Sequence, residues 1–323
     1  MGTRLLEVQD LKTYFVRSKS VVKAVDGVSF YVGENETLGL VGESGSGKTV
    51  SCLSILRLVP KPGRIVGGRI LLEGEDLLAL SEKRMQEIRG CKITMILQDP
   101  MTSLNPVFTI GDQIGESIAT HLKFKGAELV ARVIEMLKRV RIPAPETRIR
   151  AYPHQMSGGM KQRVVGAISI SCQPRLLIAD EPTTSLDVTI QAQYLELLKE
   201  IQRELGVSLI FITHDFGIVA NMCDRVVVMY AGQIVESAPV RDIFYRPTHP
   251  YTAALLKAVP KLETKVDRLT SIPGQPPRLN HLPAGCRFAP RCSRVDDKCV
   301  QTEPPLVATD DDRSVKCWYP CSQ

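Results

Sequence analysis

The stretch GESGSGKT (Gly42 to Thr49) constrains this chain more than any other eight residues in it. It fits G-x-x-x-x-G-K-[ST] and stands between a short apolar run, ETLGLVG, and TVSCLSILRLV, whose apolar residues recur with helical spacing. A strand that breaks into glycines and resumes as a helix is the opening of an α/β unit. Glycines let the backbone curl so that its N–H groups face an anion, and the helix N-terminus adds its dipole. Gly42, Ser44, Gly45, Ser46, Gly47, Lys48, Thr49 and Val50 are therefore candidate triphosphate-binding residues. Lys48 is placed for the β- and γ-phosphates and the Thr49 hydroxyl for Mg²⁺. An ordinary Gly-rich turn is the weaker reading, because both flanks match the motif's context.

RLLIADEP supplies a second part. Its apolar strand delivers Asp180 and Glu181 at the carboxyl end, where open α/β sheets bind ligands. Asp180 can hold Mg²⁺, usually through water, and Glu181 can orient and polarise an attacking water. An acidic pair after a buried strand is often mere solubilising chemistry; paired with a phosphate loop it is a catalytic candidate.

Around these motifs the first forty residues alternate apolar and polar and predict antiparallel strands, with GGRILLEGEDL as one more edge strand. Thr109 to Arg150 carries a helical pattern. Strands return at RLLIAD, VSLIFIT and DRVVVMYAGQIV, with the helix TIQAQYLELLKEIQREL between the first two. An α/β core interrupted by a helical insertion results. After RPTHPY the chain turns Pro-rich and irregular, and a separate appendage is expected there.

Composition narrows the function classes. At 44% apolar and 24% charged, the 323 residues are those of an ordinary globular protein. The net charge of +6 favours anionic ligands or a lipid surface without diagnosing nucleic acid binding. The opening residues carry no long apolar stretch, so no secretory signal is expected, and no apolar run approaches the roughly 18 residues of a membrane span. A cytoplasmic location is expected, with any membrane role coming through a partner.

HQMSGGMKQR lies between the two phosphate-site motifs, and with it the chain resembles an ABC-type ATPase. The segment Met156 to Met160 is similar to that family's signature, which usually ends in Gln where Met160 stands. Ser157 is a good N-cap, and with Gly158 and Gly159 it presents backbone N–H groups to an anion. The resemblance implies that this anion is the γ-phosphate of ATP held by a second ATPase subunit, two nucleotides being sandwiched head to tail. It further implies that Gln98, in MILQDP, senses Mg²⁺ and the attacking water. Ser185 to Asp187 would cross the dimer interface, and His214, in FITHD, would contact the γ-phosphate. Phe15 or its neighbour Tyr14 would stack on adenine. Lys48, Gln98, Glu181 and His214 are all of the expected types, so active hydrolysis is expected.

QDPMTSLNP, HPYTAALLKAVP and the tail through GCRFAPRC are similar to the ATP-binding subunits of dipeptide/oligopeptide importers. The fold implied is α/β, a P-loop NTPase of ABC type with an antiparallel β subdomain, a helical subdomain and an irregular, metal-bound C-terminal extension. Its ATPase domain would span 1–245, with the helical subdomain near 100–165, and the extension 246–323. The implied partners are a second ATPase subunit, a paralogue being favoured over a second copy, and two transmembrane permease subunits. A solute-binding protein would act indirectly, and no nucleic acid is involved. The chain would sit peripherally on the cytoplasmic face of the cell membrane. Related importers of nickel, opines or sugars, a redox-gated regulatory ATPase and a non-transport ABC ATPase are the alternatives.

Five of the nine cysteines crowd the last forty residues. Cys286, Cys292, Cys299 and Cys317 form C-x5-C-x6-C-x17-C, with Cys321 as a spare. Four thiolates suit Zn²⁺ or an iron–sulfur cluster, and the spacing matches neither the usual zinc knuckle nor a ferredoxin, so both metals and free thiols stay open. The family resemblance implies a [4Fe–4S] cluster, structural before redox-sensing, that would staple a segment with little core of its own. Cys52, Cys91, Cys172 and Cys223 are expected to be small buried apolar residues.

Overall fold

In a computed structural model of the protein, most strands form where the apolar runs of the sequence fall. The structure describes residues 3–17, 20–98, 103–184, 186–259, 271–310 and 312–321. In chain order the described strands begin with β1 (Arg4–Arg17), β2 (Ser20–Gly33), β3 (Thr37–Val41), β4 (Gly63–Leu72), β5 (Glu75–Asp76) and β6 (Ile93–Ile96). They continue with β7 (Leu176–Asp180), β8 (Ser208–Ile212), β9 (Arg225–Tyr230), β10 (Gln233–Pro239), β11 (Val307–Asp310) and β12 (Arg313–Val315). The chain divides into two units. One comprises Leu6–Tyr31, Thr37–Leu78 and Ile212–Gln323; the other comprises Met1–Leu5, Val32–Glu36 and Ala79–Phe211.

In the first unit β1, β2, β4 and β5 form one sheet in the order β2-β1-β4-β5. The alternation of β1 changes phase: Leu6 and Val8 are buried, then Leu11 and Thr13. A register shift between Gln9 and Lys12 against β4 explains the switch, since one extra residue moves every later side chain to the other face. GGRILLEGEDL, expected at an edge, holds β1 along one side and only the two-residue β5 on the other.

A second set of strands in this unit runs β11-β12-β10-β9-β3. All five residues of β3 are buried, as its continuous apolar run predicts, and it pairs in parallel with β9. DRVVVMYAGQIV, a single stretch on its sequence pattern, is two antiparallel strands, β9 and β10. Ala231 and Gly232 make the turn with φ of 46° and 85°, the left-handed pair that a two-residue hairpin requires. The helix Lys48–Ile55 is shorter than the pattern through Val59 suggests, because Arg57 takes a φ of 54°. The chain after RPTHPY is also less detached than its composition implies. It forms the helix Pro250–Ala258, and β12 lengthens the sheet by pairing with β10, Glu236 facing Val315. The Lys23 N–H donates to the Leu279 carbonyl at 3.1 Å and the Tyr31 hydroxyl to Asp312 at 2.8 Å.

The second unit sets β8, β7 and β6 side by side, β6 and β7 in parallel. The helical insertion follows as Ile110–Leu122, Gly126–Arg139 and Pro145–Arg148. Thr109 and Asp112 cap the first of these reciprocally, and Ile110, Ile114 and Ile118 form its buried stripe. The helix Val188–Leu205 buries Tyr194, Leu197, Leu198 and Ile201 and stops at Gly206, whose φ is 62°. No described helix is long and apolar enough to cross a membrane.

Candidate functional site

The phosphate loop grows directly out of β3. Gly42 has a φ of 148°, and a Cβ there would stand 2.2 Å from the Met229 carbonyl oxygen. Gly47 has a φ of 104°, and its Cβ would stand 2.3 Å from the Ala24 carbonyl oxygen. Both contacts are to backbone, so only glycine fits at either position. The Gly232 N–H donates to the Ser46 carbonyl at 2.9 Å, tying the loop to the β9–β10 turn. Lys48 is buried and lies back across the loop, its Nζ donating to the carbonyls of Gly42 at 2.7 Å and Glu43 at 3.0 Å. Ser44 and Gly45 are exposed at the tip, while Thr49 and Val50 are half-buried on the first turn of the helix.

The two aromatic candidates on β1 differ. The Tyr14 hydroxyl donates to Asp26 at 2.5 Å. Burial, then the Asp26 hydrogen bond, pushes the Tyr14 phenol up to about 12. Asp26 also receives the Arg287 guanidinium. Burial raises the Asp26 carboxyl, but Tyr14 and Arg287 outweigh it and hold it below its ordinary value. Phe15 faces Gly63 of β4, and its ring fills the space a Gly63 side chain would need.

In the second unit Asp180 ends β7 fully buried, and Glu181 follows with a φ of 44°. A left-handed glutamate costs about 1–3 kcal/mol and persists only where its surroundings over-determine it. Glu181 Oε2 accepts from Gln98 Nε2 at 3.2 Å and from the Thr184 hydroxyl at 3.1 Å, so two candidates 83 residues apart meet. Gln162 Nε2 donates to the Pro182 carbonyl at 2.5 Å, a tie that the local motifs do not signal.

Ser157 is the N-cap of the helix Gly158–Ile170, accepting from the Met160 N–H at 3.4 Å. Asp187 caps Val188–Leu205 in the same way, accepting from the Ile190 N–H at 3.0 Å. Ser157, Gly158, Gly159 and Asp187 line one open groove of about 560 Å³, with Arg141 and Arg163 on its wall. Ser185 and residues 99–102 lie outside the described residues. His214 is exposed just beyond β8, in the first unit.

The tail cysteines also converge. Cys286, Cys292, Cys299 and Cys317 line one small pocket with His249, Phe288 and Trp318. The Arg294 N–H donates to Cys292 Sγ at 3.4 Å. Burial pushes the Cys286 and Cys292 thiols up and Cys317 up to about 11, against the opposing pull of backbone N–H groups at Phe288, Ala289, Arg294 and Tyr319. Among the described residues, however, no three or more His, Cys, Asp or Glu close to metal-holding geometry. The extension is therefore not shown to be metal-bound. The thiols share a pocket without forming a coordination shell. Of the scattered cysteines, Cys52, Cys172 and Cys223 are buried, but Cys91 is half-exposed.

The ABC transporter family model matches residues 25–184, and that of the oligopeptide/dipeptide transporter C-terminal region matches residues 235–299. The oligopeptide transport ATP-binding protein AppD of Bacillus subtilis (strain 168) is 50% identical, over 97% of this chain and 96% of its own. The chain belongs to the ABC transporter family. Within it the chain is an ATP-binding subunit of the oligopeptide/dipeptide branch, and an ABC-type ATPase. OppD of the same organism, also an oligopeptide transport ATP-binding protein, is 52% identical over 98% of this chain and 89% of its own. The fold is similar to that of the ATP-binding cassette MJ0796, solved as a dimer in a post-hydrolysis state bound to ADP and Pi. The TM-score is 0.64 at 24% identity, over 73% of this chain and 99% of that one.

Proposed function

We propose that this ABC ATPase drives uptake of di- or oligopeptides through two membrane permeases, as a peripheral subunit on their cytoplasmic face. Its relatives AppD and OppD are named for oligopeptide transport, and the match to the oligopeptide/dipeptide C-terminal region supports the same cargo. We assign the ATPase domain to 1–245, its helical subdomain to about 100–165, and the extension to 246–323. Leu97, Val107 and Phe108, exposed on either side of the undescribed residues 99–102, favour the helical insertion as the permease-facing surface.

In this reading the loop N–H groups and Lys48 hold the β- and γ-phosphates of ATP, and Phe15 stacks on adenine, the Tyr14 hydroxyl being engaged by Asp26. Thr49, Gln98 and Asp180 offer hydroxyl, carboxamide and carboxylate oxygens, the donor chemistry a hard cation takes. Bound Mg²⁺ would neutralise developing phosphate charge. Glu181 accepts a proton from water as its oxygen bonds the γ-phosphorus and the bond to the bridging oxygen breaks, leaving ADP and phosphate. Gln98, hydrogen-bonded to Glu181, orients the same water, and His214 steadies the γ-phosphate. Ser157, Gly158, Gly159 and Asp187 close on ATP held by a second ATPase subunit. The observation that carries the reading is the Gln98–Glu181 contact beside a glutamate held at positive φ.

The same reading assigns a [4Fe–4S] cluster to Cys286, Cys292, Cys299 and Cys317. Four thiols around one pocket, several receiving backbone N–H groups, support it; that they do not close into a coordination shell among the described residues speaks against a site already set for metal. Such a cluster would cross-link the irregular segment.

Sedimentation of full-length Glu181→Gln with its partner ATPase tests the nucleotide sandwich. ATP and Mg²⁺ are expected to drive association of the two domains, ADP not. Equal sedimentation in both nucleotides would contradict it.

A further inference from the structure

Glu43 is an oddity of the phosphate loop: a carboxylate placed in a turn built to attract anions. Two tail residues answer it. Arg291 donates to both its oxygens, at 2.7 and 2.9 Å, and the Tyr251 hydroxyl accepts from its backbone N–H at 2.9 Å. Arg291 is itself held from behind by the Pro273 carbonyl at 3.0 Å, the Ile272 carbonyl at 3.4 Å and the Tyr230 hydroxyl at 3.2 Å. The Arg291 side chain is 4% exposed, so it offers a pre-aimed fork rather than a surface charge. The Glu43 carbonyl in turn accepts from Lys48. Arg287, four residues upstream, donates to the Ala231 carbonyl at 2.6 Å, beside the turn that holds Ser46.

We propose that Arg291 is a positioning residue for ATP binding: it neutralises Glu43 and fixes the phosphate loop from the C-terminal extension. This rests on the nucleotide reading of the loop given above. Removing Arg291 alone leaves an uncompensated carboxylate beside the triphosphate, whereas removing both charges does not. The pair is therefore separable from a general loss of tail structure.

The test is MgATP affinity and the KM-against-kcat split in the full-length chain, for wild type, R291Q, E43Q, E43Q/R291Q and R291K. R291Q is expected to weaken ATP binding about tenfold with kcat at saturation largely kept, and E43Q/R291Q to return within about threefold of wild type. R291K, which keeps charge without the fork, should fall between. Wild-type affinity in R291Q, or a double variant as weak as R291Q, would overturn the proposal. Should R291Q not fold, E43Q/R291Q against E43Q decides: equal affinities support it, and a weaker double overturns it. A wild-type chain that binds no ATP would overturn the nucleotide reading as well.

Discussion

The phosphate loop and the cysteine pocket belong to the same unit of the chain, yet they are built by opposite means. The loop is made by backbone: Gly42 and Gly47 press against the Met229 and Ala24 carbonyls, and the binding groups are N–H donors that every residue carries. The pocket is made by side chains, four thiols delivered by three stretches with little regular structure. A backbone site tolerates no added side chain but needs few particular ones. A side-chain site has the reverse tolerance, and it depends on whatever holds its segments together. The two meet through Arg287 and Arg291, which stand next to Cys286 and Cys292 and reach Asp26 and Glu43.

The largest expected effect falls on the backbone side. Gly47→Ala should abolish ATP binding and destabilise the unit by about 1–3 kcal/mol, because a left-handed residue would meet a carbonyl. Gly45→Ala, where a Cβ meets nothing within 4 Å, should do much less. Isothermal titration and thermal melts of both variants check the contrast; equal losses would break it. Next comes the side-chain site. Anaerobically purified protein should be brown and contain iron. Cys286→Ser or Cys299→Ser should lose the iron and melt roughly 5 °C or more lower, by loss of a cross-link. Stoichiometric zinc without iron would reject the cluster. Smallest is the pH effect at the junction. The Asp26 carboxyl is held below its ordinary value in the folded chain, so its stabilisation is complete above the unfolded value of about 3.9 and fades as pH falls through the folded one. Urea melts between pH 5 and 3 should show this decline, less steep in Asp26→Asn.

Local signals in the chain announced the strand–loop–helix of β3, the cap at Ser157, and the buried runs of β7 and β8, because each depends on neighbours a few residues away. The hairpin at Ala231 and Gly232 was hidden by an apolar run that continues through the turn, although the Ala-Gly pair was its signal. The tail's attachment was hidden by composition: a Pro-rich segment still leads to β12, which pairs Ser314 and Val315 with β10. Contacts such as Arg291–Glu43, 248 positions apart, leave no local periodicity to read. The only hint was the carboxylate itself, an acid where an anion is to bind. Glu181 is nameable from its place after a buried strand and Gln98 only by resemblance to a family, and their contact is a product of the fold.

The most direct test of the account is ATP turnover by the full-length chain with its partner ATPase, compared with Glu181→Gln. A general base contributes on the order of a hundredfold or more, so turnover should fall by at least that factor while ATP is still bound. Undiminished phosphate release by Glu181→Gln would contradict it.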